Sequence, residues 1–317
     1  MKILVTGGAG FIGSHFVDFT LESHPEDEIV SVDSLTYAGR LENLSSAMQD
    51  PRFTFIRADI ADAEAMKRVF NEEKPDAVVN FAAHTHVDRS IESAREFVRS
   101  NVLGTEILLE EARLIGARFH QISTDEVYGA LPLDRGDPFT ENSPLLPTNP
   151  YAATKAAADL LALSYFKTHG LFVTVSRASN NYGPRQYPEK LIPKLTAQAA
   201  ADMPLSIYGN GKNLRDWIHV LDHCEAVDLI LRGGRAGTVY NVGGGPQISS
   251  LEIAHLILSC LGKGEELISF VEDRPGHDAR YALDSALIKR ELGWEPKRKF
   301  DREIEKTVLS YLKKREK

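Results

Sequence analysis

The chain has 317 residues, of which 43% are apolar and 26% charged, with a formal net charge of −8 at pH 7. That balance excludes a disordered or membrane-embedded protein, and its acidity argues against a surface built for nucleic acid. The length exceeds the usual single domain, so one large domain with a smaller one is expected. Met1-Lys2 leads straight into a short apolar run with nothing of signal-peptide or membrane-span length, so the expected compartment is the cytoplasm. Cys224 and Cys260 have no paired spacing, which points to reduced core cysteines rather than a disulfide scaffold.

The first predicted strand, Ile3-Leu4-Val5, runs into Gly7, Gly10 and Gly13 at three-residue steps before a helix containing Phe11 and Ile12. Glycines so spaced let backbone N–H groups at a helix N-terminus approach a pyrophosphate. A second strand, Glu28 to Val32, delivers Asp33 twenty residues after Gly13. A carboxylate there accepts from ribose hydroxyls and repels a 2′-phosphate, which favours NAD over NADP. Further strands are predicted at Phe53–Ile56, Ala77–Phe81 and Phe119–Ile122, with helices over Asp62–Asn71 and Ile91–Ile115. This alternation implies an α/β fold, a doubly wound parallel sheet of the Rossmann type with ligands at the strand C-termini. Asp59-Ile60, Ala82-Ala83 and Ser123-Thr124 fall at those ends.

Leu131–Pro150 reads as a proline-rich acidic loop, followed by a helix from Tyr151 to about Thr168 and a strand at Phe172–Val175. Beyond Arg177 the alternation fails. Turns are predicted at Asn180–Pro184 and Tyr208–Gly211, and helices near Pro193–Ala201, His223–Leu231, Ser250–Leu261 and Glu303–Lys317. The expected division is a dinucleotide-binding domain over 1–178 and a smaller α/β substrate domain over 179–317, with part of 215–241 a candidate to return to the first.

Tyr151 and Lys155 lie four apart at a helix start and so share a face, a spacing suited to an acid–base pair in which the ammonium lowers the tyrosine pKa. Asp125 and Glu126, adjacent at the end of the fifth strand, suit a reaction that needs an acid and a base together. If a hydride leaves C4 of a hexose, the C5 proton becomes acidic. Glu126 would then remove it while a protonated Asp125 donates to the departing C6 hydroxyl, which requires a raised aspartate pKa. Lys190, Arg185 and Arg215, with Asn180 or Asn181, offer donors for a diphosphate. His84, His86, His219, His223 and His277 form no metal-binding spacing, so no metal is expected.

These motifs resemble the extended short-chain dehydrogenase/reductase superfamily and, within it, the dTDP-glucose 4,6-dehydratases. The resemblance runs nearly end to end: TGGAGFIG, VDSLTYAG from Val32, HVDRSI from His86, STDEVYG, YAATK, SNNYGPRQYPEKLIP from Ser179, NLRDWIHV from Asn213 and RPGHDARYALD from Arg274. It implies Tyr151 as base of the oxidation step with Lys155 beside it, Thr124 near the sugar 4-oxygen, Asp125 as acid and Glu126 as C5 base. It further implies NAD contacts from Gly7, Gly10, Phe11, Ile12, Gly13, Asp33, Leu35, Thr36, Asp59, Ile60, Ala82, Ala83, Thr85 and Asn101. His86, Asn180, Glu189, Lys190, Leu191, Arg215 and Tyr281 would hold the nucleotide sugar, and the helices around Ile91–Ile115 and Tyr151–Thr168 would form a four-helix homodimer interface. Ala152, Thr154, His84 and Thr85 depart from the usual Tyr-Ser-Ala-Ser-Lys and Ala-Ala-Glu-Ser-His strings, which leaves a dTDP-sugar or a UDP-sugar open as substrate. A 4-epimerase shares the glycine turn and the Tyr-Lys pair but has small neutral residues at the acidic dyad. A non-catalytic NAD-binding regulator would lack turnover despite the fold.

Overall fold

The computed structural model describes residues 1–134 and 136–312. Strands β1 (Lys2–Thr6), β2 (Glu28–Asp33), β3 (Phe53–Arg57), β4 (Ala77–Asn80), β5 (Arg118–Thr124) and β6 (Val173–Ala178) alternate with helices α1 (Phe11–Ser23) and α2 (Ala63–Glu73), a helical tract over residues 87–115, and α6 (Pro150–His169). That tract is broken. It comprises α3 (Val87–Glu92), α4 (Arg95–Phe97), a π-helical stretch Val98–Gly104 and α5 (Thr105–Ile115). All pairings in the large sheet are parallel. Ile3, Leu4, Val5, Val78, Val79, Phe119, Val173 and Val175 are fully buried, because helices cover both faces and the strands need no polar side.

The remaining elements are β7 (Asn180–Tyr182), α7 (Leu191–Ala200), β8 (Leu205–Tyr208), β9 (Leu214–His219), α8 (Val220–Gly233), β10 (Thr238–Val242), β11 (Gln247–Ser249), α9 (Ser250–Leu261), β12 (Ile268–Val271), α10 (Ala286–Leu292) and α11 (Phe300–Leu312). The seven-stranded sheet has the order β10-β6-β5-β4-β1-β2-β3, a Rossmann arrangement with β10 added beside β6. Three strands, β11-β9-β7, make a second sheet, and β12 pairs with β8 in a third. Asn180-Asn181-Tyr182, expected as a turn, is a strand because Asn180 to Tyr182 align with Trp217 to His219 of β9. The turn proper follows at Gly183. The C-terminal helix is described to Leu312, so the basic end of the expected surface helix lies outside the described residues.

Sheet order places the functional edge. β1 and β4 are neighbours although α1, β2, β3 and α2 separate them in sequence, so their C-terminal ends splay apart beside one crevice where strand order reverses. The glycine turn after β1, Asp33 ending β2, Asp59-Ile60 beyond β3, Ala82-Ala83 beyond β4 and the Thr124–Glu126 turn after β5 all open onto it.

Candidate active site

The crevice is a cavity of about 350 Å³. At one end the backbone turns at Gly7, whose φ of +69° disfavours any L side chain and whose Cβ would stand 2.7 Å from Ala82 N. A Cβ on Gly13 would stand 2.3 Å from Gly7 O, so the first turn of α1 sits directly on the loop. Helix α1 begins without a side-chain cap and with no acidic residue in its first turn, which leaves its N-terminal amides free for an anion. Asp33 is buried, and its carboxylate accepts from Ala9 N at 3.0 Å and Leu35 N at 2.8 Å. Burial raises its pKa against the lowering effect of those amides. Glycine cradle, uncapped helix start and acidic strand end together fit a dinucleotide with free ribose hydroxyls.

At the other end, the strand end of β5 turns into a 3-10 helix over Asp125–Tyr128. Thr124 Oγ1 donates to Asp125 Oδ1 at 3.1 Å and accepts from Glu126 N at 3.3 Å. Asp125 is 2% exposed, and its Oδ2 is buried with no hydrogen-bond partner. Burial, then the charges of Glu126 and Asp216, push its carboxyl well above the usual range, against the pull of Arg215. Glu126 is only half-buried, and its Oε2 accepts from Asn149 Nδ2 at 3.1 Å. Asn149 also caps α6 by accepting from Ala152 N at 2.9 Å, with Pro150 at the first helical position. One asparagine therefore sets both the start of α6 and the orientation of Glu126.

Tyr151 and Lys155 follow on that helix, both buried. Burial, reinforced by Glu126, pushes the Tyr151 hydroxyl above its ordinary range, while a hydrogen bond with Thr124 works the other way. Lys155 Nζ donates to Ile122 O at 2.5 Å. Burial brings the Lys155 ammonium down to about 8, opposed by the charge of Asp159.

The cavity wall brings together Gly7, Gly10, Phe11, Ile12, Gly13, Asp33, Thr36, Asp59, Ile60, Ala82, Ala83 and Thr85 with Thr124, Asp125, Glu126, Tyr151, Lys155, Asn180, Glu189, Lys190 and Leu191. Leu35, Asn101, His86, Arg215 and Tyr281 do not line it. Leu35, at φ 53°, packs its side chain towards the core beneath α1 and gives its N–H to Asp33. Asn101 lies behind the wall, where Nδ2 donates to His84 O and Thr154 Oγ1, both at 3.0 Å. Thr154 in turn donates to Tyr151 O at 2.7 Å, so two of the departing positions, His84 and Thr154, meet through one side chain. His86 caps α3, its Nε2 3.7 Å from Glu189 Oε2. Arg215 stacks over the Tyr281 ring at 4.5 Å, and its charge is felt by Asp125. Glu189 accepts from Tyr37 at 3.0 Å, and Lys190 Nζ donates to Thr85 O at 2.8 Å. Arg185, considered for a diphosphate, pairs instead with Asp18 of α1 at 2.6 Å. Among the described residues no cluster of three or more His, Cys, Asp or Glu could hold a metal ion.

Three residues that matter here carry weaker signals. Asn149-Pro150 is a helix-start signature legible in the sequence. Asp216 accepts from Gly244 N and Gly245 N, both at 2.9 Å, and burial raises its pKa to about 6. Asp278 accepts from Thr148 at 2.7 Å and from the Tyr281 hydroxyl, and its carbonyl accepts from Arg215 at 3.0 Å. Neither aspartate has a local pattern that would reveal its partners.

A sequence profile of the family described as GDP-mannose 4,6 dehydratase matches residues 4–307. The chain is 48% identical over 317 residues to a dTDP-glucose 4,6-dehydratase of Actinoplanes sp., covering 98% of each chain. It is 50% identical over 313 residues to the low-salt glycan biosynthesis protein Agl12 of Haloferax volcanii, covering 98% of this chain and 99% of the other. DesIV, a dTDP-glucose 4,6-dehydratase of Streptomyces venezuelae crystallised with NAD bound, superposes with a TM-score of 0.96 at 46% identity, covering 100% of this chain and 98% of that one. With its glycine turn, Tyr-Lys pair and acidic dyad on one crevice, the chain belongs to this family and, within it, to the dTDP-glucose 4,6-dehydratases.

Proposed function

We propose that the protein converts dTDP-glucose to dTDP-4-keto-6-deoxyglucose, a lyase reaction of C4 oxidation, loss of water across C5 and C6, and reduction at C6. The observation that carries this reading is the dyad. Two carboxyls adjacent in sequence face one cavity, Asp125 buried with a raised pKa and Glu126 half-exposed and oriented by Asn149. Environments that push two carboxyls apart assign an acid and a base.

NAD, when bound, supplies the hydride acceptor for C4 and the donor for C6. Gly7, Gly10, Phe11, Ile12 and Gly13 would receive its pyrophosphate and Asp33 its adenosine ribose, with Leu35, Thr36, Asp59, Ile60, Ala82, Ala83, Thr85 and Asn101 shaping the rest. Tyr151 takes the C4 hydroxyl proton, Lys155 is the cation placed to lower its affinity for that proton, and Thr124 positions the C4 oxygen. Glu126 removes the C5 proton and Asp125 donates to the departing C6 hydroxyl. Arg215 and Tyr281, with Asn180, Lys190, Leu191, His86 and Glu189, hold the nucleotide-sugar side.

The same reading divides the chain into a cofactor part over 1–178 and a substrate part over 179–317. A stretch around 215–241 returns to the first, as the pairing of β10 with β6 and the packing of α8 beside α1 favour. A homodimer through α3 to α6 is favoured by exposed apolar residues Ile91, Val98, Leu103, Leu114 and Leu160 on those helices. No helix among the described residues is long and apolar enough to cross a membrane. A cytoplasmic location fits free cysteines Cys224 and Cys260.

Incubation with dTDP-glucose and, separately, UDP-glucose in D₂O tests the reaction. Loss of water with one deuterium gained at C5 is expected, faster with the dTDP-sugar. An unchanged mass with inversion at C4 would make it an epimerase, and a greater rate with the UDP-sugar would move the substrate assignment. Glu126→Gln should abolish C5 exchange, and normal exchange in that variant would remove Glu126 from its role.

A further inference from the structure

Lys155 is a buried ammonium, 4% exposed, that gives one hydrogen bond to a neutral carbonyl, Ile122 O at 2.5 Å. An isolated buried ammonium sheds its proton unless a negative charge compensates it. One turn further along α6 stands Asp159, fully buried. Its Oδ2 accepts from Arg177 Nε on β6 at 2.9 Å, and Ser123 on β5 is a further hydrogen-bonding neighbour of the carboxylate. Arg177 Nη1 donates to the Tyr128 hydroxyl at 2.9 Å, and Tyr128 donates to Asn241 Oδ1 on β10 at 2.7 Å. Asp159 does not itself line the cavity, and the reaction as described makes no use of it.

We propose that Asp159 is a positioning residue that serves as the counter-charge of Lys155, one turn away on the same helical face, while its carboxylate also pairs with Arg177 and meets Ser123. The i, i+4 spacing puts the carboxylate on the same helical face as Lys155, and Asp159 stands outside the cavity lining. The groups that face Asp159 are Lys155 and Tyr151 on α6, Arg177 on β6 and Ser123 on β5, with Tyr128 beyond the guanidinium. Two cations thus compete for one carboxylate. Arg177 remains charged at any working pH, so the balance falls on Lys155. Asp159 thereby opposes the loss of the Lys155 proton that burial favours.

The inference rests on the reading of Lys155 as the partner of Tyr151, and its test separates the two. Purified protein carrying ¹³C-labelled lysine is titrated by NMR, with the Lys155 signal assigned by its loss in Lys155→Met. The wild-type lysine should titrate near pH 8, and a midpoint below 7 would overturn the proposal without any variant. Asp159→Asn should lower the midpoint by at least one pH unit, a tenfold loss of proton affinity. Arg177→Gln, which releases the carboxylate from its competitor, should raise it. A purely structural network predicts shifts of one sign or none, and either result would overturn the counter-charge. Should Asp159→Asn fail to fold, the absence of a rise in Arg177→Gln decides against it. Conversion of dTDP-glucose by Lys155→Met is measured alongside: full activity would remove Lys155 from the reaction, whereas the titration alone judges Asp159.

Discussion

Acidification should unfold this protein through three neutral histidines rather than through its carboxylates. His120 is fully buried, its ring nitrogens 2.8 Å from Thr174 Oγ1 and 3.0 Å from Ser176 Oγ, and burial brings its pKa down to about 3. Burial brings His223 and His219 each down to about 4. In the unfolded chain all three return to about 6.5, so between 6.5 and the folded values the unfolded state binds more protons. Their contribution is complete above pH 6.5 and lost as the pH falls. At pH 5 each costs about 2 kcal/mol, or about 6 kcal/mol together, at ~1.36 kcal/mol per pH unit. Asp216 opposes them. Its folded pKa of about 6 is raised, so the folded state takes its proton first on acidification. That returns about 1 kcal/mol between pH 7 and pH 5. Asp125, whose carboxyl is also raised, returns a further part, so the net loss is at most about 5 kcal/mol, against a typical stability of ~5–15 kcal/mol. For 317 residues it corresponds to a melting temperature lower by up to about 7 °C, from ~2.1 cal/mol/K per residue. Thermal unfolding at pH 7 and pH 5 checks this, with His120→Gln as control, which should reduce the drop by about 3 °C. A fall under about 2 °C in the wild type would refute the claim that burial keeps these rings neutral.

The other expected outcomes concern the site and its frame. Asp125→Asn should slow elimination by about 10²–10⁴-fold while sparing oxidation, seen as NADH absorbance that rises and decays slowly. Asn149→Ala removes the cap of α6 and the donor to Glu126, so it should cost about 1 kcal/mol in unfolding experiments and lower kcat more than it raises KM. Gly13→Ala places a methyl 2.3 Å from Gly7 O and should weaken NAD binding, read by NADH fluorescence titration, before it alters the rate of bound enzyme. Leu160→Asp, at a side chain 58% exposed on α6, should convert a dimer to monomer by light scattering, and an unchanged mass would move the subunit interface elsewhere.

The cofactor half of the crevice was legible because backbone constraints write it in small residues. Gly7 and Gly13 are required by a positive φ and a 2.3 Å approach, and Asp33 ends a strand whose apolar run fixes its register. The long helix expected over Ile91–Ile115 was less faithful. Asn101 is held by His84 N at 2.8 Å and reaches Thr154, and the stretch around it, Val98–Gly104, winds as a π-helix, a device commonly found at functional sites. Periodicity of apolar residues cannot register one extra residue in a turn. Asn180–Tyr182 misled for a different reason: two asparagines before Tyr-Gly-Pro carry a turn signal, and the partner strand that overrides it, Leu214–His219, lies more than thirty residues away. Tertiary pairing decides such short strands. The supporting acids Asp216 and Asp278 were illegible on the same ground, since each is defined by amides and hydroxyls supplied from distant loops.

The chemistry turns on a difference that no local pattern could state. Asp125 and Glu126 are consecutive carboxylates in the sequence, and in water their pKa values would lie within about half a unit. The 3-10 turn at the end of β5 points one inward, where Oδ2 finds no donor, and the other to the half-exposed wall, where Asn149 donates to it. The charge of Glu126 raises Asp125 further. On the proposed mechanism, an acid at Asp125 beside a base at Glu126 is what an elimination needs and an epimerisation does not. The same constraint explains why Asn149 both caps α6 and orients Glu126. The helix that carries Tyr151 and Lys155 starts from the residue that orients Glu126, so the groups proposed for oxidation and for elimination share a single rigid frame.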